Sequence, residues 1–208
     1  MFKKQVLAIV GQSGAGKSLF SKELSSLSDW PLLVCSELGT VIARKKYNCN
    51  NFGECFLLSD SFQFICDLNR YWVHQALDIL SYPKMNTLIF DGLVSIDAIC
   101  KLEAYGIDVK VIYLDTPYEV RIDRIMKRSN CTREEALCEE TEKIVRKDRL
   151  GINEVLQLVD YRLDGTKRIT EILEDFSTLS NITLKSFSVS KQRNGLYVTN
   201  EAASRAAV

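Results

Sequence analysis

A glycine-rich segment between a short apolar run and a helix-forming segment constrains the fold of this chain more than any other feature. It matches the pattern G-x-x-x-x-G-K-S at every fixed position, with the residues Gly11, Gln12, Ser13, Gly14, Ala15, Gly16, Lys17 and Ser18. Residues 6–10 form an apolar, β-rich run before it, and residues 17–27 are expected to form a helix after it. A strand, a glycine-rich loop and a helix in this order predict the beginning of an α/β fold.

The glycines of this loop let the backbone turn tightly, so that successive N–H groups point into one concavity. The helix that follows adds the positive partial charge of its N-terminus. In such a loop the Lys17 ammonium can reach the β- and γ-phosphates of a nucleotide, and the Ser18 hydroxyl can bind Mg²⁺. The alternative is a glycine-rich turn without a ligand, but the flanking strand and helix favour a phosphate-binding loop.

Apolar runs and helical patterns alternate along the rest of the chain. Further strands are predicted at residues 32–35, 87–90, 109–114 and 160–163, and helices at 59–80, 96–105, from Thr116-Pro117 onward and from Thr132 toward Arg149. Thr116 and Thr132 are the predicted caps of the last two helices, because a glutamate follows each of them three residues later. Strands that are apolar throughout are typical of a parallel sheet that is buried on both faces. We therefore expect an α/β, doubly wound fold.

Asp91 follows the apolar run of residues 87–90, at the carboxyl edge of the expected sheet, where ligands bind in α/β folds. We predict that its carboxylate holds the water shell of Mg²⁺ beside the glycine-rich loop. The alternative is that Asp91-Gly92 is only the turn that ends a strand. A phosphate-binding loop needs a carboxylate partner, which favours the first interpretation.

Three arginines, Arg121, Arg124 and Arg128, are spaced so that they share one face of a predicted helix. A planar guanidinium suits the charge that develops on a phosphoryl group during transfer. Taken alone, a solvated basic face paired with Glu119 and Asp123 is the better explanation. The next predicted helix adds further arginines that could close over a nucleotide, namely Arg133, Arg146 and Arg149.

Composition and charge exclude several other functions. The 208 residues include 27 basic and 27 acidic side chains, and this balance makes nucleic acid an unlikely partner because bulk phosphate neutralisation needs a basic excess. No apolar run is long enough to span a membrane, so we expect a cytoplasmic protein without a membrane partner. Seven cysteines without a Cys-x-x-Cys pair disfavour a structural zinc site.

The loop, Asp91-Gly92 and residues 109–165 together resemble the P-loop small-molecule kinases, in particular the nucleoside monophosphate kinases and dephospho-CoA kinase. The run VIYLDTPYEVRIDRIMKRS is similar to the fourth strand and the arginine-bearing lid helix of that group. The resemblance implies five parallel strands, ATP phosphates bound by residues 11–18, and Arg124 and Arg128 as lid arginines. It also implies an ATP- and Mg²⁺-dependent kinase with a small-molecule phosphate acceptor.

The resemblance further divides the chain into parts. Residues 1–180 would form the kinase-like domain, with an acceptor-binding insertion at 37–84 and a lid at 121–149. Residues 181–208 are a polar extension, with a hairpin expected around Asn194-Gly195 and a flexible tail over the last residues.

The acceptor cannot be identified from the sequence, because the chain departs from the group's pattern where acceptors bind. Leu93-Val94-Ser95 stand after Asp91-Gly92, where an arginine that grips the acceptor phosphate is expected. Glu37 could orient or deprotonate an acceptor hydroxyl, and Arg44 could bind an acceptor phosphate. A surface helix explains both residues equally well.

The leading hypothesis is therefore a phosphotransferase that moves the γ-phosphoryl group of ATP to a nucleoside monophosphate, to dephospho-CoA or to a similar small molecule. The missing arginine motivates an alternative, a nucleotide-dependent binding or regulatory ATPase module without a small acceptor. A kinase that acts on nucleic-acid ends is disfavoured, because no basic stripe is interleaved with aromatic residues. A GTPase is disfavoured because the sequence has no Asn-Lys-x-Asp segment.

Overall fold

Five parallel strands form a single sheet in the computed structural model, which describes residues 3–185. They are β1 (Gln5–Val10), β2 (Leu32–Val34), β3 (Thr87–Asp91), β4 (Asp108–Asp115) and β5 (Val159–Asp164). Their order across the sheet is β2-β3-β1-β4-β5, so the first strand lies at the centre. Gln5 pairs with Thr87 on one side and with Asp108 on the other. The expectation of a doubly wound, five-stranded parallel sheet is confirmed.

Helices cover both faces of this sheet. They are α1 (Lys17–Ser28), α2 (Cys35–Tyr47), α3 (Ser61–Ser81), α4 (Ile96–Ala104), α5 (Tyr118–Ser129), α6 (Arg133–Leu150), α7 (Ile152–Val155) and α8 (Ile169–Ser180), with a 3₁₀ turn at Glu54–Leu57. None of the helices within the described residues is long and apolar enough to cross a membrane.

Side chains on the two faces of β1 pack into two separate cores, because successive side chains point to opposite faces of a strand. Val6, Ala8 and Val10 pack into a core that contains α3 and α4. Leu7 and Ile9 pack into a second core that contains α1 and α8. The central strand is therefore buried on both faces, as its continuous apolar sequence predicts.

Several predicted boundaries and contacts differ in the structure. Cys35, predicted at the end of a strand, instead begins α2. Phe62, predicted on the apolar face of α3, is 77% exposed, because the buried series at four-residue spacing begins at Phe64 and continues through Leu68 and Trp72. The predicted hairpin around Asn194-Gly195 and the predicted tail lie outside the described residues.

The two predicted helix starts behave differently. Thr132 caps α6 in a capping box with Glu135, as predicted. Thr116 was expected to cap α5, but Pro117 occupies the cap position and Thr116 is free for another bond. Its hydroxyl donates to the Ala15 carbonyl oxygen at 3.2 Å, which ties the start of α5 to the glycine-rich loop.

Candidate active site

The glycine-rich loop lies between β1 and α1, at the carboxyl edge of the sheet. Gly14 has a φ of +77°, and a Cβ there would lie 2.5 Å from the Arg121 carbonyl oxygen, so only glycine lets α5 approach this closely. Gly16, with a φ of +98°, precedes α1 and offers no side chain to cap it. The first N–H groups of α1 are therefore left to bind an anion.

Lys17, Ser18 and Asp91 come together beside this loop. The Lys17 side chain is half-buried, and its ammonium donates to the Gln12 carbonyl oxygen at 2.9 Å. Burial lowers the pKa of Lys17, although the nearby Asp91 opposes that shift. Burial likewise raises the pKa of Asp91, which is 5% exposed, while Lys17 and a hydrogen bond from Ser18 lower it. A hydroxyl and a carboxylate that line the same cavity are hard oxygen donors, which suit Mg²⁺ or its bound water.

A cavity of about 250 Å³ opens next to these residues. One wall is apolar and includes Val34, Phe52, Trp72, Val94 and Leu150. The Trp72 indole is fixed there because its Nε1 donates to the Cys35 carbonyl oxygen at 3.2 Å. The cavity is thus a small, partly aromatic chamber that opens directly onto the predicted phosphate site.

The cavity also has a cationic part, which comes from α6 through Lys143, Arg146 and Lys147. The Lys147 ammonium donates to the Gly11 carbonyl oxygen at 3.0 Å and to Gln12 Oε1 at 2.9 Å. Burial, together with the positive charge of Lys17, lowers the pKa of Lys147 to about 7. Sequence reasoning missed both lysines, although their spacing at i and i+4 places them on one helix face.

The three arginines of α5 have three different environments. Arg121 is buried, donates to the Ser13 and Thr116 carbonyl oxygens at 3.2 Å and forms an ion pair with Glu140.

The other two arginines are less buried. Arg124 lies 3.4 Å from the Gly14 and Ala15 carbonyl oxygens. Arg128 pairs with Glu139 on α6. Arg128 is exposed, so the simpler interpretation of a solvated face applies to that residue but not to the buried Arg121. Glu119, expected to pair with this face, pairs with Arg133 instead.

Glu37 and Arg44, predicted to contact an acceptor, are both exposed on α2. Arg44 Nε donates to the Asn50 carbonyl oxygen at 2.9 Å. Neither residue lines the cavity of the described chain. The segment 37–84 instead contributes Phe52 and Trp72 to the cavity wall.

Comparison with solved structures identifies the fold. A shikimate kinase from Bacteroides thetaiotaomicron superposes with a TM-score of 0.58 at 13% identity, covering 86% of this chain and 99% of the kinase. A gluconokinase from Sinorhizobium meliloti gives a TM-score of 0.52 at 14% identity, covering 87% and 94%. The protein has the α/β fold of the P-loop kinases.

A third structure with this fold, the protein TT1252 from Thermus thermophilus, gives a TM-score of 0.60 at 17% identity and covers 86% of this chain and 98% of its own. No protein-family model matches the sequence, and a search of curated proteins finds no match either. At these identities the likeness establishes the P-loop kinase fold, and the chemistry has to be argued from the site itself.

Proposed function

We propose that the protein is an ATP- and Mg²⁺-dependent phosphotransferase that transfers the γ-phosphoryl group of ATP to a small molecule in the cavity. The observation that carries this proposal is that the end of the glycine-rich loop lines the cavity. Lys17 and Ser18 of the loop and the neighbouring Asp91 all line it. A phosphate chain on the loop would present its last phosphorus to whatever fills the cavity. The fold likeness to a shikimate kinase and a gluconokinase supports the same class of reaction.

Catalysis would rest mainly on positioning and electrostatic stabilisation. The loop N–H groups and Lys17 would bind the phosphates, and Lys143 and Lys147 would add positive charge from α6. Mg²⁺, held through Ser18 and Asp91, would neutralise charge on the phosphate oxygens. The apolar wall around Trp72 would exclude water, which limits hydrolysis in place of transfer.

The proposed acceptor is a nucleoside monophosphate, dephospho-CoA or a similar small anion. No arginine follows Asp91-Gly92, but Arg146 of α6 brings a guanidinium into the cavity. Arg146 lies over the Phe52 ring, with 5.9 Å between its central carbon and the ring centroid. A guanidinium in this place would pair with an anionic group of the acceptor.

The direct test is the release of ADP from ATP and Mg²⁺, measured with nucleoside monophosphates, dephospho-CoA and other small hydroxylated anions in turn. An acceptor that accelerates ADP release and itself gains a phosphoryl group supports the proposal. If ADP release is slow and indifferent to every acceptor, the protein is better described as a regulatory ATPase module.

Acceptor binding is expected to change the fluorescence of Trp72, because the indole forms part of the cavity wall. The chain has two tryptophans, and Trp30 packs in the other core, so Trp30→Phe leaves Trp72 as the single reporter. We expect this variant to show a saturable fluorescence change with an acceptor. A Trp72→Phe variant serves as the control and should show none, and a signal that persists in it would contradict the assignment of the cavity.

Affinity for ATP is expected to depend on the ionisation of Lys147. Because its pKa is about 7 without nucleotide, the ammonium becomes neutral as the pH rises through that value, and phosphate binding must then take up a proton. Above the pKa of Lys147, affinity should fall by up to about tenfold per pH unit. In Lys147→Arg the side chain stays charged, so this fall in ATP affinity above pH 7 should disappear. Calorimetric titration of the wild-type protein and the variant with ATP at several pH values would show the difference. Superimposable pH profiles would contradict the expectation.

A further inference from the structure

Two cysteines flank a short loop that leads from α2 into the 3₁₀ turn. Cys49 precedes the loop and Cys55 follows it. The loop closes on itself, because the Glu54 carboxylate accepts from the Asn50 N–H at 2.8 Å and from Asn51 Nδ2 at 2.7 Å. These bonds hold the two ends of the loop, and therefore the two cysteines, side by side.

The two cysteines are neighbours across this closed loop, and both are reduced. The Cys49 thiol lies 3.6 Å from the Tyr47 carbonyl oxygen, and its proximity contributes to the raised pKa of Cys55. Cys55 is fully buried, whereas Cys49 is only partly so. Both belong to the larger apolar core, so their surroundings are fixed by packing. A disulfide between them would therefore close a loop that the Glu54 side chain already holds closed.

We propose that Cys49 and Cys55 are a modification site, at which a low-molecular-weight disulfide such as oxidised glutathione forms a reversible intramolecular disulfide. The Cys49 thiolate attacks one sulfur of glutathione disulfide and releases one glutathione thiolate. Cys55 then loses its proton and attacks the Cys49 sulfur of the mixed disulfide, which releases the second glutathione thiolate. Two cysteine thiols are oxidised by two electrons, and one glutathione disulfide becomes two glutathione molecules.

The burial of the two residues sets the order of these steps. Burial, assisted by the hydrogen bond to Cys49, raises the pKa of Cys55 to about 12, so its thiolate is scarce at neutral pH. The more accessible Cys49 therefore reacts first. The second step is intramolecular, and the high effective concentration of the two cysteines across the closed loop offsets the poor ionisation of Cys55.

The disulfide would act on the wall of the cavity. The loop between the cysteines carries Phe52, whose ring lines the cavity and lies beneath the Arg146 guanidinium. A Cβ at the neighbouring Gly53 would collide with Arg146, so the loop and α6 are in close contact. Cross-linking the ends of the loop restricts the position of Phe52. This site exists whether or not the protein is a phosphotransferase.

Peptide mapping of the full chain tests the proposal. Reduced protein is incubated with glutathione disulfide, its remaining thiols are blocked with N-ethylmaleimide, and it is digested with trypsin and a glutamate-specific protease. Trypsin releases residues 47–70, and cleavage after Glu54 separates Cys49 from Cys55. We expect residues 47–54 and 55–70 to stay joined, with the loss of two hydrogen atoms, until dithiothreitol separates them.

Cys66 lies in the same tryptic fragment, so Cys66→Ser is the matched control and should give the same joined product. Cys49→Ser should abolish it, and so should Cys55→Ala, which keeps the buried position apolar. The proposal is overturned if the wild-type fragments separate without reduction while Cys49 carries glutathione or N-ethylmaleimide. It is also overturned if the joined product persists in Cys49→Ser.

Discussion

Replacement of Lys17 by alanine is expected to lower phosphoryl transfer by at least about 10²–10³-fold, the usual cost of removing one preorganised donor from a developing charge. The Lys17 ammonium lies beside the loop, where it donates to the Gln12 carbonyl oxygen, and its side chain lines the cavity. ATP binding should weaken as well, because the phosphates lose a positive charge next to the loop.

The same variant should remain folded. Burial lowers the pKa of Lys17, which means that the folded state disfavours its charged form and gains nothing from holding it. Thermal unfolding with and without ATP separates the two effects, since a ligand stabilises only a protein that binds it. Wild-type protein should be stabilised by ATP and Mg²⁺, and Lys17→Ala should unfold at an unchanged temperature without that response.

Lys84→Ala is the matched control for this experiment, because Lys84 is an exposed lysine outside the cavity. It should keep both the ADP release and the stabilisation by ATP of the wild-type protein. Full activity in Lys17→Ala would contradict the proposed function. A loss of activity accompanied by unfolding would contradict the expectation of an intact fold.

The conformation of the glycine-rich loop could be predicted from the sequence because it is local. An apolar strand, glycines that adopt positive φ and a following helix are all encoded within residues 6–27, so no distant contact has to be known. Asp91 was predicted on the same basis, since parallel strands bring their carboxyl ends to one edge. Both predictions depend only on the order of short segments.

The cationic wall could not be predicted in the same way. Lys143 and Lys147 lie on a helix rich in charge of both signs, and nothing in its pattern shows which face meets the loop. Their position depends on the packing of α6 across more than a hundred residues of intervening chain. Glu37 and Arg44 illustrate the same limit of sequence patterns, since their charge fits either an acceptor site or a surface helix, and α2 exposes both outside the cavity.

The residues of α3 that face the core could not be predicted from the sequence either. Phe62 and Phe64 are both close to the start of an amphipathic helix, and either could begin its buried stripe. Phe64 begins the buried stripe because it packs against the 3₁₀ turn, where its ring centroid lies 5.5 Å from that of Phe56. Phe62 is thereby left exposed.

Replacement of Glu140 by alanine is expected to destabilise the protein by about 3–5 kcal/mol, the usual cost of leaving one charge of a buried pair uncompensated. Arg121 is 7% exposed and Glu140 is 1% exposed, so solvent cannot replace the missing carboxylate. The pair also joins α5 to α6 next to the loop. Urea unfolding would measure the loss as a lower midpoint at an unchanged slope.

Glu139→Ala provides the comparison, because Glu139 is the adjacent residue and pairs with Lys143 and Arg128 at a more exposed position. Its removal should cost about 1 kcal/mol or less. Equal losses for the two variants would show that the Arg121–Glu140 pair is not buried as described. Should Glu140→Ala fail to fold, Glu140→Gln keeps the shape of the side chain and should still be less stable than Glu139→Ala.

The double variant Arg121→Met/Glu140→Leu separates stability from function. An apolar pair of similar volume should recover part of the lost stability, because neither charge then has to be buried. The Arg121 guanidinium, however, also donates to the Ser13 and Thr116 carbonyl oxygens, and methionine cannot. Hydrogen bonds from a charged donor contribute about 1.5–3 kcal/mol. The double variant should therefore be stable but bind ATP more weakly than the wild type by calorimetry, and unchanged affinity would show that Arg121 does not position the loop.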